Sequence, residues 1–193
     1  MGANLTKVFV VDVEATCWRT KEEQGGKPNE LIEIGICELH RDGSIQNKRS
    51  YPIIPRNFEI SDFCTELTGW TAKDLKLRGQ DITDVLDVIG DDYGMTKNHV
   101  WFSFGEYDRI KLSSSPEEGS LLTLYNIHRE SNPFARLRSH INVKTLMALK
   151  ERLPKELGMS RALAHYGEKL EGRHHNGADD AYNIAKIVRR VLS

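Results

Sequence analysis

The chain contains no run of 18 or more apolar residues, the length that a membrane-spanning helix needs. Its first residues, MGANLTKVF, carry neither the cationic stretch nor the long apolar stretch of a secretory signal. These absences lead us to expect a soluble cytoplasmic protein with no membrane partner. Cysteine is scarce: Cys17, Cys37 and Cys64 are odd in number and show no CxxC spacing, which argues against a disulfide framework or a zinc ribbon and for a reducing compartment. Neither charge is in excess, with 27 Lys and Arg against 28 Asp and Glu. No global basic field therefore announces nucleic acid, although a protein that meets phosphates through metal ions supplies positive charge locally. No repeat, linker or low-complexity tract divides the chain, and 193 residues suffice for one sizeable core, so residues 1–193 read as a single domain.

What is present begins at Val8 to Cys17, VFVVDVEATC, a β-branched and aromatic run that ends in Asp12 and Glu14. Side chains two apart on a strand point the same way, so these carboxylates converge on one spot and repel each other there. A hard divalent ion such as Mg²⁺, held through oxygen ligands, is the simplest compensation.

The polar stretch Trp18 to Asn29 leads off the acids as a surface loop. Leu31 to Leu39 and Ile45 to Ile54 read as strands joined by a hairpin turn at Arg41 to Ser44, so the first three strands form an antiparallel meander. A short helix follows over Ile60 to Trp70, N-capped by Ser61 or Asp62 and ended by Gly69. Thr71 with Asp74 has capping-box form, and a further helix runs from near Asp81 to Gly94. His99 to Phe104 has strand composition and runs toward Glu106 and Asp108, repeating the pattern of a strand that ends in an acid. Leu121 to Arg129 is ambiguous, Ile141 to Val143 is a short strand, and Lys144 to Leu153, Gly158 to Tyr166 and Ala178 to Leu192 are helical. The sum is an α/β fold with a central mixed sheet of about five strands flanked by helices.

In the last helix, counting from Asp180 by helical steps reaches Ile184, Ile187 and Val191, whereas Asp179 leads to Asn183, Lys186 and Arg190. Asp180 thus falls on the buried stripe and Asp179 on the wet one. An uncompensated carboxylate on a core-facing stripe is expensive, and a cation shared with Asp12 and Glu14 would compensate it. His174 and His175, on a loop before this helix, are both candidates for a group that swings toward the same site.

Taken together, DVEATC at 12–17, FCTELTG at 63–69, SFGEYD ending at 108 and HHNGADDAYNIAKI at 174–187 resemble the DEDDh 3′-5′ exonucleases, with the closest match to the Eri-type branch. The resemblance implies a ribonuclease H-like fold. It implies also that Asp12, Glu14, Asp108 and Asp180 hold two Mg²⁺ ions, for which Mn²⁺ may substitute, with Glu14 and His175 catalytic and His175 as general base. Single-stranded RNA, or DNA, would be hydrolysed from a 3′ end to nucleoside 5′-monophosphates. Ala15, Thr16, Phe63, Leu67 and Thr68 would seat the terminal nucleotides, and Trp18, on a polar loop beside the acids, is a candidate stacking residue. Two rival readings exist. Asp12 to Thr16 also approximates the DxDxT of haloacid-dehalogenase-like phosphomonoesterases, and the same fold could serve as a non-catalytic nucleic-acid-binding module.

Overall fold

The computed structural model, which describes residues 6–57, 59–137 and 139–193, centres on a nine-residue strand, β1 (Lys7–Ala15). Alternation divides this strand between two cores. Phe9, Val11 and Val13 bury into one, while Val10, with Val8 at the margin, buries into the other. Asp12 and Glu14 continue the Val8 and Val10 face beyond its apolar part.

After β1 the loop contains a single helical turn, α1 (Lys21–Gln24), started by the Thr20 hydroxyl and ended at Gly25 with φ 60°. Then come β2 (Leu31–His40) and β3 (Ile45–Pro52), antiparallel to their neighbours as expected. β3 stops two residues short of Ile54; beyond it Ile53 still donates its N–H to the Ile32 carbonyl at 2.9 Å and forms an isolated parallel bridge with Gln80. Ser61 caps α2 (Asp62–Thr68), Thr71 caps α3 (Ala72–Arg78), and Asp81 caps α4 (Ile82–Tyr93), each by accepting a backbone N–H. β4 (Val100–Ser103) runs parallel to β1 and is followed by the short α5 (Tyr107–Lys111). The ambiguous stretch after Ser120 resolves into α6 (Leu121–Tyr125), capped by that serine and closed by Asn126 in the left-handed region.

α7 (Pro133–Arg136) precedes β5 (Ser139–Asn142), parallel to β4. The strand expected through Val143 ends one residue earlier, because the Asn142 side chain accepts from Lys144 and Thr145 and so starts α8 (Val143–Lys150). α9 (Met159–His165) and α10 (Gly177–Leu192) complete the chain. Sheet order is β3-β2-β1-β4-β5, a mixed five-stranded sheet with helices on both faces. No helix among the described residues is long and apolar enough to cross a membrane.

α10 lies across β1 and β2 and buries Ala181, Ile184, Ala185, Ile187 and Val188 completely. Each fully buried Ile or Val contributes about 1.5–3 kcal/mol, so the position of this helix is strongly determined. The expected wet stripe beside it requires correction: Asn183 and Lys186 are buried. The loop over residues 169–171 covers them and satisfies their polar atoms. Asn183 donates to the Glu171 carbonyl at 2.8 Å, and Lys186 pairs with the Glu171 carboxylate at 2.7 Å.

Candidate active site

Two glycines set the height of α10 above the sheet. Gly35 is the cross-strand partner of Asp12, and Gly177 opens the helix directly above it. A Cβ on Gly35 would stand 1.8 Å from the Gly177 carbonyl carbon, so only a bare backbone allows the helix start to lie this close. The first turn of α10 then lowers Asp180 toward the acidic end of β1.

The carboxylates of Asp12, Glu14 and Asp180 offer oxygens that all lie within 4.8 Å of one another. Asp180 is 3% exposed, and its Oδ1 has no hydrogen-bond partner among the described residues. Its Oδ2 accepts the His175 backbone N–H at 2.9 Å and lies 2.8 Å from His174 Nδ1. Asp108 was expected at the close of a strand. It lies instead in the first turn of α5, five residues beyond β4, where its Oδ1 accepts the Val13 N–H at 3.0 Å. Glu106 faces elsewhere, paired with Arg109 and Asn142. The geometry therefore distinguishes the two acids: Asp108 is buried beside β1, and Glu106 is exposed.

Crowding and burial push these carboxyls toward their neutral forms. Burial, then Asp108 and the other acids, raise Asp12 well above the carboxylate range. Burial, then Glu33, raise Glu14 to about 8. Asp108 rises to about 6 through burial, opposed by the N–H of Val13. His175 moves the other way, below the ordinary histidine value, because burial and the adjacent His174 disfavour its cation. A cluster of acids that resist ionising together, one with an orphaned buried oxygen, fits a hard cation held by oxygen.

All four acids open onto one cleft of about 410 Å³, which His174 and His175 also line. His175 has φ 63° and stacks on His174 with ring centroids 4.0 Å apart. Among the residues anticipated for substrate, Ala15 and Leu67 line this cleft. Thr16 does not: its hydroxyl accepts from Glu30 N at 2.9 Å, and its N–H donates to the Glu30 carbonyl. Thr68 is buried, with its hydroxyl donating to Cys64 O and accepting from Trp70 N. Phe63 lies under the Arg19 guanidinium, and Trp18 lies near Lys27, both half-buried and outside the lining.

Four further residues belong to the site without having been anticipated. Tyr107, 50% exposed, and Lys144 line the cleft, and the Lys144 ammonium lowers the Asp108 carboxyl. Glu33 is fully buried opposite Glu14 and accepts from Trp70 Nε1 at 2.7 Å and Ser50 Oγ at 2.6 Å. Gly35 is the fourth, and its signal was available: a glycine inside an isoleucine-rich strand marks a close backbone approach.

Comparison with known proteins supplies independent information. A family model described as Exonuclease (RNase_T) matches residues 9–188. Human 3'-5' exoribonuclease 1 is 28% identical over 196 residues, which cover 96% of this chain and 52% of that protein. ERI1 exoribonuclease 2 of Xenopus laevis is 26% identical, covering 96% of this chain and 28% of its own length. The chain thus spans about half or less of these two curated relatives. A solved structure of the nuclease domain of 3'hExo, a DEDDh family member, bound to rAMP, superposes with a TM-score of 0.83 at 26% identity, covering 97% of this chain and 92% of that one. The Mg²⁺- and Mn²⁺-bound form of S. pombe Pop2p shares the fold, with a TM-score of 0.68 at 14% identity and coverage of 96% and 82%.

Proposed function

The chain belongs to the exonuclease family, and on that premise we propose that it is a metal-dependent 3′-5′ exonuclease that removes nucleoside 5′-monophosphates from the 3′ end of single-stranded RNA. The observation that carries this reading is the gathering of Asp12, Glu14 and Asp180 within 4.8 Å around an orphaned buried oxygen, with His175 on the same cleft. The RNA preference takes its support from the exoribonuclease relatives.

Asp12, Glu14 and Asp180, joined by Asp108, would hold two divalent cations, Mg²⁺ or Mn²⁺. When bound, such ions supply Lewis acidity to an attacking water and to the leaving 3′ oxygen. His175 takes the proton of that water through its ring nitrogen, and the downward shift of its pKa keeps it unprotonated at neutral pH. Ala15 and Leu67 form the floor for the terminal nucleotide, with the exposed ring of Tyr107 available for stacking on a base. Lys144 supplies a cation toward the phosphate, the local positive charge that a chain of net charge -1 requires somewhere.

A phosphomonoesterase reading of Asp12 to Thr16 asks for an aspartate at the third position, where this chain has Glu14, and it gives no role to His175 on the same cleft. Incubation of the protein with 3′-labelled RNA, matched DNA and a small phosphomonoester, with Mg²⁺, Mn²⁺ or EDTA, tests the proposal. Metal-dependent loss of label from RNA is expected. Turnover of the phosphomonoester alone would overturn it.

A further inference from the structure

We propose that the cavity beyond Tyr107 is a second phosphate subsite, in which the buried ammonium of Lys111 grips the RNA phosphate immediately 5′ of the one that is cleaved. The assignment rests on the exonuclease reading above and adds to it a requirement on the substrate.

This cavity, of about 570 Å³, adjoins the acidic cleft, and Tyr107 lines both. The sign of the lining reverses across that ring. Four carboxylates line the cleft with one lysine, Lys144, whereas Lys21, Lys27 and Lys111 line the cavity with one acid, Glu118. A strand that leaves the cleft past Tyr107 thus passes from acids that call for metal ions to lysines that meet a phosphate directly.

Lys111 carries the assignment because it is a buried cation without an anion. It is 6% exposed and lies one helical turn beyond Tyr107 on α5. Its Nζ donates to the Asn29 carbonyl at 2.7 Å and stands 5.4 Å from the Tyr107 ring centroid. No ion pair joins it to a carboxylate among the described residues, and the exposed Glu118 acts on it only from farther off. One carbonyl and one ring are modest compensation for a desolvated ammonium with three N–H donors, and burial pushes its pKa down to about 8.

The same ammonium is held in place. Gly119, with φ 74°, lets the neighbouring loop lie against it, since a Cβ there would stand 2.7 Å from Nζ. Lys27, by contrast, is exposed at the rim and already paired with Glu59 at 2.5 Å, so it adds little. A phosphate supplies what Lys111 lacks, an anion whose oxygens accept charge-assisted hydrogen bonds.

The test compares two RNA dinucleotides that differ by one group. NpN has only the scissile phosphate, whereas pNpN adds a 5′-phosphate in the position of the next one along the strand. kcat/KM is measured for both with the full chain in Mg²⁺, and the preference is their ratio within each variant, so a general loss of activity divides out. We expect the wild type to prefer pNpN by about 10- to 100-fold, the worth of a hydrogen bond to a charged group. Lys111→Met keeps the buried stem without the charge, and Lys111→Gln can still donate to Asn29; both should bring the ratio close to one. No preference in the wild type, a preference undiminished in both variants, or a preference for NpNp, with its phosphate on the 3′ side, would overturn the subsite and leave the exonuclease reading standing. Cleavage of neither dinucleotide nor of longer RNA would instead overturn the exonuclease reading. The same ratio taken from affinities, read by calorimetry with Ca²⁺ in place of Mg²⁺, then decides the subsite.

Discussion

Gly35 and Gly177 meet backbone to backbone, and the second carbon that any other residue would bring at position 35 has no room, standing 1.8 Å from the Gly177 carbonyl carbon and 2.0 Å from its oxygen. The relationship couples strand register to the geometry of the proposed site, since Gly35 pairs with Asp12 and Gly177 lies three residues before Asp180. Gly35→Ala should lift the start of α10 and cost about 1–3 kcal/mol or more, as overpacking does. Thermal unfolding should show a lowered Tm, and the residual folded protein should lose most of its exonuclease activity. Gly177→Ala, whose nearest neighbour is at 3.0 Å, should be milder on both counts. Equal activity in Gly35→Ala and wild type would show that this contact does not set the site.

Removing a carboxylate should stabilise the metal-free protein while destroying its activity. Glu14 is raised from 4.5 to about 8 in the folded state, so between those values the native protein holds a proton that the unfolded chain has released. Stability from this group is therefore present below pH 4.5 and lost as pH rises through about 8. Glu14→Gln removes that loss, and in EDTA at pH 8 its Tm should exceed that of the wild type, by about 2–4 °C for each kcal/mol recovered. Activity in Mg²⁺ should fall at least about 100-fold. The wild type alone should gain Tm on adding Mn²⁺; a Glu14→Gln Tm below that of wild type in EDTA would contradict the account.

His175→Ala separates proton transfer from metal binding. Loss of a positioned general base costs about 10²–10⁴-fold in rate, and kcat should fall by that order. Mn²⁺ affinity, measured by calorimetry, should stay close to wild type. Because His175 titrates below the ordinary histidine value, the acid limb of the wild-type rate profile should lie below pH 6.5 and be absent from the variant's residual activity.

Tyr107→Ala probes seating of the terminal nucleotide. Stacking of one base on an aromatic ring is worth about 1–3 kcal/mol, so KM for a short RNA should rise about tenfold or more with little change in kcat. Restoration by Tyr107→Phe would identify the ring rather than the hydroxyl as the contact. A fall in kcat at constant KM would place Tyr107 outside base recognition.

Much of this was legible in the chain because the relevant signals are periodic and local. Alternation along β1 put Asp12 and Glu14 on one face, and the 3.6-residue period of α10 chose Asp180 over Asp179, as the buried carboxylate at 3% exposure shows. Capping chemistry at Ser61 or Asp62 and at Thr71 announced two helices, and the apolar period of Ile82, Val85, Leu86 and Ile89 announced the next; Ser61, Thr71 and Asp81 are the caps. What the same reasoning missed depends on contacts between distant segments. Lys186 looked solvated until the 169–171 loop closed over it, and Thr16 looked available until Glu30, fourteen residues later, occupied its hydroxyl. Lys144 and Tyr107 reach the cleft from separate elements, and no local pattern places them together. Glu33 is a buried acid in an apolar strand, made tolerable by Ser50 on β3 and by Trp70 between α2 and α3.

Identification of the first product released from RNA tests the central claim most directly. An RNA of defined sequence with a distinguishable nucleotide at each end is digested in Mg²⁺, and the earliest mononucleotide is resolved by chromatography. The account predicts that the 3′-terminal residue appears first, as a nucleoside 5′-monophosphate, with release abolished by EDTA and by Asp180→Asn. Release from the 5′ end, a 3′-monophosphate product, or undiminished release in EDTA would contradict it.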